Sequence, residues 1–254
     1  MNNSGKKLLF VLLGVFGLFG TAFAGDEVGR IVALRGSATI ERGKSILEAK
    51  LKGDIMAQDT VKTGAASRVK LLFIDDSVLT LAENSKLVVK EFIYSKGKEG
   101  KSIFNLLDGK MRSVVGRTKF EVQTPTVVAS ARGTIIFFEV GILDNMEYTK
   151  VIDLEGIVDI RSLLPNDTSL VSLTPGNMII VKQGEPLSAP VKAPQSELDK
   201  ARSASSNKGA AGVSPQAVIA ASPVVVPPLP QQQPVAKPVV TTSPVNVNIN
   251  FPAK

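Results

Sequence analysis

The 254-residue chain contains no cysteine, no histidine and no tryptophan, and each absence removes a class of chemistry. Without cysteine there is no disulfide, no thiolate nucleophile and no thiolate metal site. Without histidine there is no imidazole base, no imidazole metal ligand and no Ser-His-Asp triad. Aromatic residues make up 5% of the chain, which leaves few rings for stacking on a sugar. From Ser203 onward no acid remains, and Ala, Ser, Gly, Pro, Val and Gln dominate. No glycine pattern leads into a helix in the way a phosphate cradle requires, so no cofactor is expected.

The chain is basic by +7, yet the excess is spread unevenly. Residues 25–190 carry 22 Lys plus Arg against 21 Asp plus Glu. A middle region so close to neutral does not have the electrostatic footprint of a nucleic-acid binder. The remaining excess lies in Lys6 and Lys7 and after Pro190.

Residues 1–24 read as a signal peptide. Lys6 and Lys7 precede an apolar run from Leu8 to Phe19, and Ala22-Phe23-Ala24 forms a small-x-small cleavage site. A run of that length is too short to span a bilayer, and no second run of spanning length follows. The expectation is a periplasmic or extracellular protein, cleaved after Ala24, with no transmembrane span in the mature chain.

Residues 25–190 read as an all-β domain. Short apolar stretches recur between clusters of Gly, Asp, Asn, Pro and Ser, and alternation is strict over Arg68-Val69-Lys70-Leu71-Leu72-Phe73. Many short strands with frequent turns imply a sandwich, a barrel or a β-solenoid. Gly36, Gly109 and Gly156 recur loosely beside strands, which a solenoid and simple hairpin punctuation explain about equally well. Ser102 to Leu106 and Met111 to Val115 read as separate strands. Residues 191–254 read as a disordered Ala/Pro/Val-rich tail, with a helical turn or two over Gln195 to Arg202. Val245 to Phe251 alternates apolar and Asn residues, a pattern suited to an added strand, although the preferred reading is a featureless end to the tether.

The organising stretch is Phe120 to Val140. Two apolar runs, Thr126 to Ala131 and Thr134 to Val140, flank Arg132-Gly133-Thr134, with Thr124-Pro125 upstream. Pro125 marks a strand starting at an edge or corner. Gly133 allows a bulge or a close approach of another backbone. Arg132 interrupts an apolar segment, and an unpaired buried charge is costly. The preferred reading makes it a brace between layers; the other has it facing a partner.

The arrangement T-P-x(6)-R-G-T resembles the signature of the FecR domain, a bacterial cell-envelope module. Upstream support comes from Gly53-Asp54-Ile55, Asp59-Thr60-Val61-Lys62-Thr63-Gly64, Asp75-Asp76-Ser77 and Leu107-Asp108-Gly109-Lys110-Met111. The resemblance covers about Val28 to Val140 and, more loosely, reaches Val181. It marks Asp54, Asp59, Thr63, Gly64, Asp75, Gly109, Thr124, Pro125, Arg132, Gly133 and Thr134 as structural or partner-contact positions. In the family's regulatory members the module relays occupancy of an outer-membrane transporter through a membrane span to a cytoplasmic anti-sigma segment. The resemblance therefore implies a non-enzymatic exported interaction or signalling module, here without that cytoplasmic segment, with an envelope protein as partner. The alternative is an envelope glycan (cell-wall) binding protein.

Acids offer little catalytic promise. Asp75 and Asp76 are neighbours in a turn, where side chains are usually solvated. Asp144, Glu147, Asp153, Glu155 and Asp159 could hold calcium through oxygen ligands, but their spacing fits no calcium loop, and a solvated β-surface is the expected reading.

Overall fold

The computed structural model describes residues 26–95 and 100–204. These lie in one compact unit that runs to Ser206, while a second unit, Asn207–Lys254, falls outside the described residues. Residues 1–24, read above as a signal peptide, and the alternating end 245–251 also lie outside them.

The unit is built from β-strands, as the turn spacing implies. The first half contributes β1 (Glu27–Arg35), β2 (Ala38–Arg42), β3 (Ser45–Glu48), β4 (Asp54–Met56), β5 (Thr60–Thr63), β6 (Arg68–Phe73), β7 (Val78–Leu81) and β8 (Lys86–Ile93). Then come β9 (Lys101–Val114), β10 (Lys119–Gln123), β11 (Val127–Ala131), β12 (Ile135–Leu143) and β13 (Met146–Glu155). The chain continues through β14 (Val158–Ser162), β15 (Leu170–Leu173), β16 (Asn177–Lys182) and β17 (Val191–Lys192) to α1 (Gln195–Ser203).

The strands pair into two layers joined through β9. In the first layer the order is β4-β1-β6-β7-β9-β12-β13-β16-β17. In the second it is β3-β2-β5-β8-β9-β10-β11-β14-β15. The pairs are antiparallel except β9 with β10, which run parallel. β9 is a single strand where the sequence suggested two. Residues 101–108 pair in the second layer and 109–114 in the first, and Gly109 makes the bend at φ +86°.

Alternation decides which side chains fill the space between the layers. Along β6, Val69, Leu71 and Phe73 are buried while Arg68, Lys70 and Leu72 are half-exposed. Phe73 of the first layer stacks on Phe92 of the second at 5.3 Å and meets Phe104 edge-on at 5.0 Å. Phe104 continues to Phe120 at 5.3 Å. Such a chain of rings contributes about 0.5–1.5 kcal/mol per pair beyond area burial.

The folded part does not stop at Pro190. On the outer side of the first layer, Ala193, Leu198 and Ala201 pack with Phe137 and Ile152. Lys150 fastens the helix there, binding Glu197 at 2.9 Å and Glu139 at 3.1 Å. The expected boundary at residue 191 is thus too early, because the apolar residues of α1 meet a patch that the strands leave open.

Candidate functional site

The positions marked in the sequence divide by what their side chains do. Most close corners from within. Asp59 is fully buried and accepts two bonds from Arg42, from Nε at 2.8 Å and Nη2 at 2.7 Å, and a third from the Met56 N–H at 2.8 Å. Asp54 is exposed and takes part through its carbonyl, which accepts from Arg42 Nη2 at 3.0 Å. Thr63 Oγ1 donates to the Ala82 carbonyl at 2.5 Å and accepts from the Ser85 N–H at 2.9 Å. The backbone of Gly64 donates to the Ser37 carbonyl at 2.9 Å.

Asp75 corrects the expectation of a solvated turn acid. It is fully buried and accepts from the Ser77 N–H at 3.0 Å, the Ser77 hydroxyl at 2.8 Å and the Thr118 hydroxyl at 2.6 Å. Its carbonyl also accepts from the Arg117 N–H at 3.0 Å. The β6–β7 turn is therefore latched to the segment linking β9 to β10. Asp76 stays exposed and pairs with Arg117 at 2.8 Å.

Thr124 ties the β10–β11 turn. Its Oγ1 donates to the Val127 carbonyl at 3.0 Å and accepts from the Val127 N–H at 3.1 Å and the Thr149 hydroxyl at 2.8 Å. Pro125 beside it is half-buried, at a corner as expected.

Four corners share one design that the sequence showed only in fragments. A left-handed residue precedes a Ser or Thr and then a strand: Ala66-Ser67 before β6, Asp76-Ser77 before β7, Asn84-Ser85 before β8 and Gly133-Thr134 before β12. In three of them the hydroxyl oxygen accepts a backbone N–H from a distant segment: from Ser37 at 2.9 Å, Gly116 at 2.8 Å and Lys110 at 2.9 Å. Glycine sits on or just before each of those donors. The recurrence of Gly36, Gly109 and Gly156 reflects this contact, since these glycines back onto Ser67, Ser85 and Thr134. Gly133 differs. A Cβ there would meet nothing within 4 Å, so its role is the left-handed turn at φ +62° and not a close approach.

The consequence falls on Arg132. The turn joins β11 of the second layer to β12 of the first, and Arg132 is exposed, with no ion pair or side-chain hydrogen bond among the described residues. The reading of Arg132 as a brace between layers is corrected; Thr124, Asp75 and the hydroxyl corners hold the layers instead.

Arg132 lines a depression of about 660 Å³ with Lys101, Lys119, Glu121, Ile157 and Asp159. The acids there have other partners: Asp159 accepts from the Ser172 hydroxyl at 2.6 Å, and Glu121 lies 3.5 Å from Arg161. Lys101 faces Glu91 at 3.5 Å. Ile157 is 60% exposed. The depression offers a guanidinium beside an exposed aliphatic side chain.

Arg132 is thus the outward cation of a signature whose other side chains mostly turn inward, and a family comparison agrees with the motif. Residues 59–159 match the FecR protein family. The FecR match runs from β5 into β14, so it starts later than the span read from the sequence and ends between that span's firm limit at Val140 and its looser reach to Val181, and it contains the whole Thr124 to Thr134 stretch. A comparison with curated proteins finds no match. Two crystal structures of a proposed anti-sigma factor from Parabacteroides distasonis are similar at 14% identity and a TM-score of 0.43. Each similarity covers 55% of this chain and 62% of that chain, less than two thirds of its length.

The acidic group in the second half of the FecR segment is not a cluster. Among the described residues no three acids could hold a metal ion. Asp144 pairs with Lys182 at 2.9 Å. Asp153 is fully buried, contrary to the expected solvated surface, because register puts it opposite Ile136, which faces Ser113, all on the inner side. Its Oδ1 accepts from the Glu155 N–H at 3.1 Å, while Oδ2, Ser113 Oγ and Thr134 Oγ1 have no hydrogen-bond partner among the described residues. Burial raises the Asp153 pKa from 3.8 to about 6.

The sign of the linkage follows. Between pH 4 and 6 the folded chain holds a proton at Asp153 that the unfolded chain releases, so stability falls as pH rises through this window and levels off above it. The shift corresponds to about 2–3 kcal/mol. Asp153→Asn keeps the Oδ1 acceptor and removes the charge. It should raise the melting temperature by about 5 °C at pH 7.5 and leave it unchanged at pH 4, as scanning calorimetry would read. Equal shifts at both pH values would refute a buried ionised Asp153.

Proposed function

We propose that this protein is an exported, non-enzymatic interaction module of the cell envelope that takes part in signalling through a protein partner. The observation that carries it is the contrast within the signature. Asp59, Thr63, Asp75, Thr124 and Thr134 are buried, four of them in internal hydrogen bonds, while Arg132 is exposed beside Ile157. A guanidinium next to an aliphatic side chain suits a partner that presents a carboxylate flanked by an apolar residue. The FecR match over residues 59–159 supports a regulatory role. The n-region lysines, apolar run and Ala22-Phe23-Ala24 site support export. No helix among the described residues is long and apolar enough to cross a membrane.

Arg132→Ala tests the reading through crosslinking in the intact envelope. Loss of the crosslinked partner is expected from the variant. Undiminished crosslinking would remove Arg132 from the contact and the proposal with it.

A further inference from the structure

Register gathers cations on the outer side of the first layer from strands far apart in the chain. Across β6, β7 and β9, Lys70 faces Thr80 and Thr80 faces Arg112. In the adjoining row Arg35 faces Arg68, and the Ala82 N–H donates to the Lys110 carbonyl at 2.9 Å. Val69, Leu71, Leu81, Met111 and Ser113 point into the core, so Arg35, Arg68, Lys70, Lys110 and Arg112 share the opposite face.

No acid occurs in residues 28–35, 68–73, 78–81 or 109–114. Across the sheet on β12, Glu139 is held by Lys150 at 3.1 Å and lies 4.0 Å from Lys110. Arg112 Nε is shielded from solvent with no acceptor among the described residues. Burial lowers the Arg112 pKa, and Glu155 offsets this only in part. The outer side of these strands thus carries Arg35 and Lys70 with no acid beside them in residues 28–35 or 68–73, while Lys110 and Arg112 have Glu139 and Glu155 as neighbours.

Its shape limits what can read it. β1, β6, β7 and β9 are each hydrogen-bonded on both sides, so a partner cannot add a strand there. What remains is charge on the outer side of a continuous sheet, with Thr80 covered between Lys70 and Arg112 and the half-exposed apolar row Leu72, Val78 and Val114 at the border. An acidic peptide gains most from a groove or an open edge. A planar array of phosphates needs neither.

We propose that this face docks on an anionic membrane surface, with Arg35, Lys70, Lys110 and Arg112 set against lipid phosphates. Each cation near such a surface is worth about a fivefold gain in partition, screened by salt.

The test is sedimentation of the full protein, purified from cells, with vesicles of phosphatidylcholine alone or with added phosphatidylglycerol. Any contribution from the apolar run at residues 8–19 is common to both vesicles and to all variants. Binding should favour the phosphatidylglycerol vesicles and weaken as salt rises. Arg35→Glu combined with Lys70→Glu, both outside the core, should lower that partition by about 25-fold or more with an unchanged melting curve. Arg132→Ala should leave it unaltered, so this inference and the proposed protein contact are judged separately. Equal partition on both vesicles, or capture by poly-glutamate without a vesicle preference, would overturn the proposal.

Discussion

Gly109→Ala is expected to lower stability by about 4–5 kcal/mol, a drop of roughly 10–15 °C in melting temperature for a domain of this size. A Cβ at this position would lie 2.5 Å from Ser85 Cα and 2.3 Å from Ser85 Oγ. Those are contacts with backbone and a fixed hydroxyl, not with the end of a pliable side chain. The residue also holds φ +86°, where an L side chain is strained. Relief by local movement would pull Lys110 N–H from Ser85 Oγ and unbend β9, the strand that joins the layers. Overpacking and backbone strain therefore act together. Thermal unfolding followed by circular dichroism is the measurement. A loss under about 1 kcal/mol would mean that β9 does not turn at Gly109 as described.

Asp75→Ala is expected to cost about 3–5 kcal/mol. The truncation strands two buried donors, the Ser77 N–H and hydroxyl, and leaves the Thr118 hydroxyl with Ser102 Oγ at 2.7 Å alone; an unsatisfied buried polar group costs about 1–3 kcal/mol. Asp75→Asn should recover part of the loss, since the amide keeps one carbonyl acceptor. Hydrogen exchange offers a second readout. The amides of Gly116 and Arg117, which bond to Ser77 Oγ and the Asp75 carbonyl, should lose protection before those of β6. Uniform exchange across the domain would contradict a local latch.

Both effects depend on long-range contacts, and these mark the limit of what the sequence showed. A strand with clear alternation was legible: Arg68 to Phe73 forms β6 with its alternate residues Val69, Leu71 and Phe73 buried. β3, β4 and β5 were not. Ser45–Glu48 is exposed throughout, Asp54–Met56 is three residues long, and Thr60–Thr63 carries a single large apolar residue, Val61. β9 looked like two strands because Leu107-Asp108-Gly109-Lys110 has turn composition, yet the left-handed glycine bends the strand without ending it.

The site was legible in membership and not in role. The T-P-x(6)-R-G-T positions do cluster around β11, but one residue type can serve opposite ends. Asp75 looked like a solvated turn acid and is covered by Thr118, 43 residues away. Arg132 looked like a buried brace because apolar runs surround it, and the left-handed turn at Gly133 leaves it exposed. The basic face has no sequence signature at all. Its cations come from three strands, and only sheet register brings them together.

The most direct test of the central claim pairs Arg132→Ala with a melting curve. If the signature's hydroxyls and carboxylates hold the corners and Arg132 serves a partner, the variant should melt within about 1 °C of the unaltered protein while losing its envelope crosslink. A fall of several degrees with the crosslink intact would contradict that division of labour.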